Sequence, residues 1–454
     1  MDAGIVLANL GEGREAEIVA RINRIPIAIG TAAAAEDRDA DGAPPLVSQA
    51  RSPRLLLRML RAAQPITRVE LARRLELNRS TVTDIMKPLV AAGIVVERPA
   101  DPGLSRVPGR PALSLSFNLD RGDIFAGVNI GVRQTQVGLG DLGHTVLAEE
   151  EFATPAEPDL ALAQIRTVLE GLRSRWPKHT LRFVGVSVPG PADVERRSLV
   201  YAPHLGWTDV AIAEVLRIPG DADSAPVPVI VDNDSTAAAM YEARLRTAQG
   251  LAEGPNEFIL VRSGTGIGVG LVLDGEVYRG SGSGRGVAGE FGHMTIMAGG
   301  KPCACGNRGC WERYASASSA AALYVGDRLQ LGGAPPLRFV EIVARAEAGE
   351  LRAQRTLERI GEYLGIGIRN VIMGLGVPRV IVSGRVVYGW RFIREPLRQA
   401  IEQSMAGILP GWSVEAGEPR GAGLGGALEL AADEYLTTTL VSYLSTGRVR
   451  SAVA

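Results

Sequence analysis

Cys303, Cys305 and Cys310 fall within eight residues of one another, and the chain has no other cysteine. His293, one of four histidines, lies ten residues upstream of the first of them. Three thiolates and one imidazole are the ligand set of a closed, tetrahedral zinc site of the structural kind. Gly306 and Gly309 let the backbone fold around the metal. Free thiols gathered by chance are the competing reading, and the absence of cysteine elsewhere speaks against it. A closed site has no open position for water, so the zinc predicted here is not catalytic. It pins the loop that carries Glu290, His293 and Glu312, and the fold must close around that loop.

At 454 residues the chain is long enough for two or three domains and a large core. Its net charge of −1 is unevenly distributed. Residues 51–121 hold 13 Lys/Arg and 6 Asp/Glu, which leaves 36 basic and 44 acidic residues elsewhere. A basic segment on an acidic body is a nucleic-acid footprint. The start carries no charged-then-apolar signal, and no apolar run reaches spanning length, so no membrane partner is expected. Cysteines devoted to a metal suit a reducing cytoplasm.

Residues 1–50 pass from an apolar start into an Ala/Asp/Gly/Pro mixture and read as a disordered extension. From Ser52 a helix is expected with Pro53 in its first turn and Leu55, Leu56, Met59, Leu60 and Ala63 on one face. Thr67 caps a second helix, with Glu70 completing a capping box. In the third helix Val82, Ile85, Met86, Leu89 and Val90 form the buried stripe, and Gly93 ends it. Arg79, Ser80, Thr81, Thr83 and Lys87 are left on or near its exposed N-terminal end, as in a recognition helix facing the major groove. Pro88 removes one backbone hydrogen bond and is expected to kink the helix beyond Lys87. Two strands around a basic Pro/Gly loop follow as a wing, where Arg106 and Arg110 can reach phosphates or the minor groove.

From Asp123 three short strands joined by tight turns are followed, about 130 residues later, by a similar strand, glycine loop, strand, Asp-Gly turn and strand. Such a duplication is the mark of a two-lobed actin-like fold. The glycine loop Ser263–Gly270 serves either as a phosphate cradle or as a structural turn. Asn233 and Asp234 stand where a buried strand runs into a helix, the edge that faces ligand in open α/β sheets. The Asp234 carboxylate there either faces a ligand or caps the following helix, and the two roles are compatible.

The run from Glu290 to Glu312, a glutamate, glycine-histidine and then CxCGxxGCxE, resembles the zinc motif of the ROK family (repressors, open reading frames and sugar kinases). The resemblance extends over roughly residues 50–430 and is similar to the xylose-repressor-type branch. It implies an α/β, two-lobed actin-like (ribonuclease-H-like) sugar-kinase fold, preceded by a winged helix-turn-helix. The expected limits are 51–120 for the DNA-binding domain, 121–435 for the sugar-binding body with its zinc loop at 289–312, and 436–454 for an untethered tail. It also implies that Asn233, Asp234, Glu290, His293 and Glu312 line a sugar pocket. His204 stands where the family has an asparagine in a loop near the sugar.

Family kinases open with aspartate-x-glycine-glycine-threonine, where this chain has Asn129-Ile130-Gly131-Val132-Arg133. The amide lacks the charge that a magnesium–phosphate complex needs. The usual adenosine-contacting glycine run is reduced to Ser383-Gly384-Arg385. Asp234 is then a vestigial base that still hydrogen-bonds a sugar. The chain reads as a non-enzymatic, sugar-responsive regulator, most simply a repressor of carbohydrate genes; the alternative is an ATP-dependent sugar kinase with an appended DNA-binding domain. Its expected partners are a pseudo-palindromic operator, a small sugar or sugar phosphate, one structural Zn2+ per chain, and a second or further copies in a homodimer or homotetramer.

Overall fold

The computed structural model describes residues 46–99, 113–195, 197–220, 225–250, 257–280, 286–326, 337–419 and 422–446. Helix α1 (Leu46–Ala63) starts earlier than expected, so Leu46–Ala50 are helical and Pro53 lies inside the helix. After β1 (Ile66–Thr67) come α2 (Arg68–Arg74) and α3 (Arg79–Ala91). Thr67 Oγ1 accepts from the Glu70 amide at 3.2 Å. The other half of the capping box is not made, because the Glu70 carboxylate pairs with Arg73 and Arg74 instead. Helix α3 buries Val82, Met86 and Leu89 and continues through Pro88 to Ala91. Strands β2 (Val95–Pro99) and β3 (Leu113–Phe117) form with β1 an antiparallel sheet of order β1-β3-β2, the frame of a wing. The expected wing residues Arg106 and Arg110 lie outside the described residues.

The body repeats one plan. In the first lobe β4 (Asp123–Ile130), β5 (Gln134–Asp141) and β6 (Val146–Ala153) form a meander. Helix α4 (Pro158–Ser174) leads to β7 (Thr180–Val188), which runs parallel to β4. A small sheet of β8 (Ala192–Asp193), β9 (Ser198–Ala202) and β10 (Trp207–Val210) precedes β11 (Val229–Asn233), parallel to β7. Helix α5 (Asp234–Ala248) then leads out. The second lobe has the meander β12 (Phe258–Ser263), β13 (Ile267–Leu273), β14 (Glu276–Val277). Helix α6 (Leu351–Leu375), β15 (Arg379–Ser383), α7 (Trp390–Glu402) and β16 (Ser413–Ala416) complete it. The orders β11-β7-β4-β5-β6 and β16-β15-β12-β13-β14 are the same topology twice.

Helix α8 (Ala422–Glu434) follows the second lobe in sequence but packs on the first. A Cβ on Gly185 of β7 would lie 2.1 Å from Ala427 O, so only glycine lets the helix seat there. The chain does not become a free tail after it. Tyr435–Leu440 makes a π-helical turn and Val441–Thr446 a last helix. Leu436 and Leu440 are buried in a cluster that joins Leu56, Leu60, Leu71, Val82 and Leu115 to Phe125 and Phe183 of the body. The helix-turn-helix therefore shares its core with the first lobe instead of owning a separate one. A cavity of about 320 Å³ opens beside this junction, between Met59, Arg74, Met240 and Val277.

Ion pairs reinforce the junction. Arg61, 4% exposed, pairs with Glu429 of α8, which also takes Arg244 of α5 at 3.1 Å. Arg58 reaches Asp433 of α8 at 2.5 Å and Glu276 of β14 at 2.6 Å, so one side chain of α1 touches both lobes. His144, in the β5–β6 turn, donates from Nε2 to Arg61 O at 2.7 Å. Burial, then the nearby Arg61 and Arg244 charges, push its pKa down to about 3. An unfolded histidine protonates near 6.5, so below that pH the unfolded state binds the extra proton and stability falls towards pH 3. We expect this one site to contribute up to about 1.4 kcal/mol per pH unit between pH 6 and 4. Urea titrations of wild type and His144→Gln at both ends of that range check it; parallel stability curves would show that His144 is not the source.

Candidate functional site

The turn Glu290–His293 is a single 3-10 turn entered by Gly289 at φ 96°. Its position is set by backbone contact with β13: a Cβ on Gly292 would lie 1.9 Å from Ile267 O. The loop that follows is tied back by bridges between Thr295 and Cys310 and between Pro302 and Arg308. The Cys303 amide donates to Asn307 O at 2.9 Å, and Gly306 turns with φ 88°. Trp311 anchors the loop's end, fully buried, with Nε1 donating to Tyr363 O at 2.8 Å.

This folding brings the four predicted ligands together. The ligand atoms of His293, Cys303, Cys305 and Cys310 all lie within 4.8 Å of one another. Cys305 Sγ and Cys310 Sγ are 3.7 Å apart, and Cys303 Sγ lies 3.6 Å from His293 Nδ1. A tetrahedron with bonds of about 2.3 Å to sulfur and about 2.0 Å to nitrogen has edges of about 3.8 and about 3.5 Å. The cluster therefore fits a tetrahedral metal ion. Burial pushes the Cys303 and Cys310 thiols up, and a bound cation is what would let them ionise.

The five expected pocket residues converge beside this cluster, with different degrees of freedom. Asn233 Oδ1 accepts from the Ser235 and Thr236 amides and its Nδ2 donates to Gly190 O, so the amide is largely spent on capping α5. Asp234 accepts from Ser235 Oγ at 3.0 Å and pairs with Arg262. Glu290 Oε2 is 3.8 Å from His293 Nε2. Burial, then the charges of Asp234 and Glu312, push Glu290 up to about 7. Glu312, 5% exposed, receives the Cys303 thiol at 3.1 Å and faces His204 Nε2 at 3.7 Å. The Glu312 carboxylate beside it raises the His204 pKa. Burial would raise Glu312 too, but His204 and Cys303 outweigh it and hold the carboxyl below its ordinary range.

The glycine loop resolves mainly as packing. Cβ atoms on Gly266, Gly268 and Gly270 would meet Glu312 Oε2, Ser235 Oγ and Ser235 O at 2.4, 1.9 and 2.4 Å. These alternate residues let β13 and the turn before it approach α5 and Glu312. Asn129 is turned inward as well, accepting from Ser187 Oγ at 3.0 Å and donating to Gln136 at 3.2 Å. Sequence reasoning missed Arg262, whose signal was a charge closing the otherwise apolar strand Phe258–Ser263.

On α3, the expected DNA-contact residues Arg79, Ser80, Thr83 and Lys87 are exposed and Thr81 is half-buried. Thr83 Oγ1 donates to Arg79 O at 2.8 Å, so its hydroxyl proton is held by its own helix. A winged helix-turn-helix DNA-binding family matches residues 51–96. Among similar proteins, a xylose repressor of Bacillus spizizenii is 27% identical over 352 residues, which are 77% of this chain and 85% of that one. A glucokinase of Streptomyces coelicolor is 27% identical over 294 residues, 62% of this chain and 88% of that one. The fold is also that of a solved ROK family transcriptional regulator, a homolog of the E. coli MLC protein, with TM-score 0.68, 24% identity, and coverage of 88% of this chain and 100% of that one. The ROK family itself matches residues 125–434, and the chain belongs to it.

Proposed function

We propose that this chain is a sugar-responsive, DNA-binding transcriptional repressor whose ROK body senses a carbohydrate and whose winged helix-turn-helix holds an operator. The observation that carries the reading is the shared buried core between the helix-turn-helix and the first lobe. A module built into the lobe's own core senses what the lobe does. Arg58 extends that link to the second lobe through Glu276. A change in lobe closure on sugar binding then acts directly on α1. Zn2+ is the ion that best suits the cysteine-histidine cluster, and it serves to hold Glu290, His293 and Glu312 in place. The carboxylates of Asp234, Glu290 and Glu312 suit sugar hydroxyls, since they accept hydrogen bonds, while Asn233 fixes the start of α5 beside them.

The kinase reading is weaker on two counts. Asn129 supplies no carboxylate for magnesium, and Asp234 is already ion-paired to Arg262, which makes it a poorer base. Operator titration with and without a sugar panel, beside an ADP-release assay, tests the proposal. Sugar-dependent change in operator affinity with no ATP turnover is expected. Arg79→Ala should weaken operator binding by about 1–3 kcal/mol and relax one base position. Robust sugar phosphorylation abolished by Asp234→Asn, or an Arg79→Ala footprint identical to wild type, would count against it.

A further inference from the structure

None of the sugar-pocket, metal-cluster or α3 residues lines the cavity of about 320 Å³ at the junction. Its size is that of a small-molecule site. Apolar walls come from Met59 of α1, Leu75 at the end of α2, Met240 and Ala243 of α5, and Val272 and Val277 of β13 and β14. Met59 and Met240 are both buried, and methionine side chains adapt to varied apolar shapes. Three arginine donors on the same walls are poorly used. Arg244 Nε lies 3.1 Å from Glu429 Oε2 but off line. Neither it nor Arg61 Nε, both buried, has a hydrogen-bonding acceptor among the described residues. Arg279 Nη2 donates to Met240 Sδ at 3.6 Å, and a thioether is a weak acceptor.

Buried donors without an acceptor are costly, and each asks for a partner. Charge does not call for an anion here. The five arginines on the walls are matched by Asp433, Glu276, Glu429, Asp232 and Glu70, and Glu76 adds a further carboxylate. A ligand that brought its own charge would meet no net attraction to offset its desolvation. We propose that the junction cavity binds a small neutral molecule with an apolar body and one carbonyl oxygen, such as a ketone, ester or lactone. The body lies between Met59 and Met240, and the oxygen accepts from the underused arginine donors. The site shares no residue with the sugar pocket, so its occupant is a second ligand, chemically unlike a sugar. It touches the helix-turn-helix through Met59 and Leu75 and the second lobe through Val272 and Val277. It thus joins the same two parts that Arg58 links through Glu276.

The test titrates the full chain with acetophenone, beside ethylbenzene, which lacks the oxygen, and benzoate, which carries a charge. NMR of methionine methyl groups, assigned by single Met→Leu substitutions, reads both the binding and its place. Acetophenone is expected to shift the signals of Met59 and Met240 and to leave those of the exposed Met373 and Met405 unmoved. It should bind about tenfold or more tightly than ethylbenzene and benzoate, because its oxygen meets charged donors without bringing a charge. Ala243→Phe and Val277→Phe fill the cavity from α5 and from β14, and each should weaken acetophenone about tenfold or more. Should both variants melt below wild type, the methionine shifts of the unaltered chain decide alone. No shift at Met59 and Met240 with any of the three probes would overturn the proposal. So would equal affinity for ethylbenzene, which makes the site a bare apolar cavity, or tighter binding of benzoate, which makes it an anion site. Binding untouched by either substitution in folded variants would put the probe elsewhere and sink the site as well. Neither sugar nor operator enters these titrations, so their outcome is separate from that of the sugar-responsive reading.

Discussion

Cys305→Ser is expected to strip the metal from the loop and abolish the sugar response while leaving much of the operator affinity. Structural zinc in small domains contributes about 10–16 kcal/mol across four ligands, so one lost thiolate should cost about 3–4 kcal/mol of metal affinity, a hundredfold or more. Serine's neutral hydroxyl does not replace it. Cys305 is the least buried of the three cysteines, so the substitution tests coordination with little disturbance of packing. Without the ion, Glu290 and Glu312 lose a common anchor, and the effector pocket loses its geometry. The shared core of α1, α3 and Tyr435–Leu440 lies apart from the loop and should stay folded. Metal analysis, thermal melting and operator titration with and without effector read the three consequences separately. A metal-free variant with full effector response would show that Trp311 and the backbone bridges suffice to hold the loop. Loss of operator binding as well would mean that the metal supports the DNA-binding assembly.

Glu429→Ala should destabilise the protein by about 3–5 kcal/mol, because it leaves buried guanidiniums without their carboxylate. Glu429 is 8% exposed and Arg61 4%, and their pair joins α8 to α1. Arg244, which shares the carboxylate, keeps only its place over the Tyr241 ring at 4.8 Å. Removing both sides at once is a different case. The double change Arg61→Met with Glu429→Met replaces the more deeply buried pair by apolar volume and leaves only Arg244 without its carboxylate, so it should recover part of the loss. Chemical denaturation of the two variants decides it, and a loss below about 1 kcal/mol in Glu429→Ala would show that water reaches the pair. Operator binding in the double variant then tells whether the triad only stabilises the junction or also transmits through it.

Much was legible in the sequence because it is local. The four residues that could hold a metal sit within one loop, the stripe Val82, Met86, Leu89 follows helical period, and Thr67 caps α2 from the adjacent position. The repeated meander was visible for the same reason, since turns and strand alternation are properties of neighbouring residues. Only tertiary structure decided which partner each charged or apolar group would take. Arg262 meets Asp234 across 28 residues, Arg61 meets Glu429 across 368, and Arg58 meets Asp433 across 375. Leu436 and Leu440 looked like part of a tail, because a short apolar pattern near a chain's end does not say what it will pack against. Gly266, Gly268 and Gly270 looked like a possible phosphate cradle, and the approach of α5 and Glu312 made them spacers. The physical reason is common to all of these. Periodicity and capping are settled by forces acting within a few residues, whereas ion pairing and core burial depend on which distant surfaces the chain brings together.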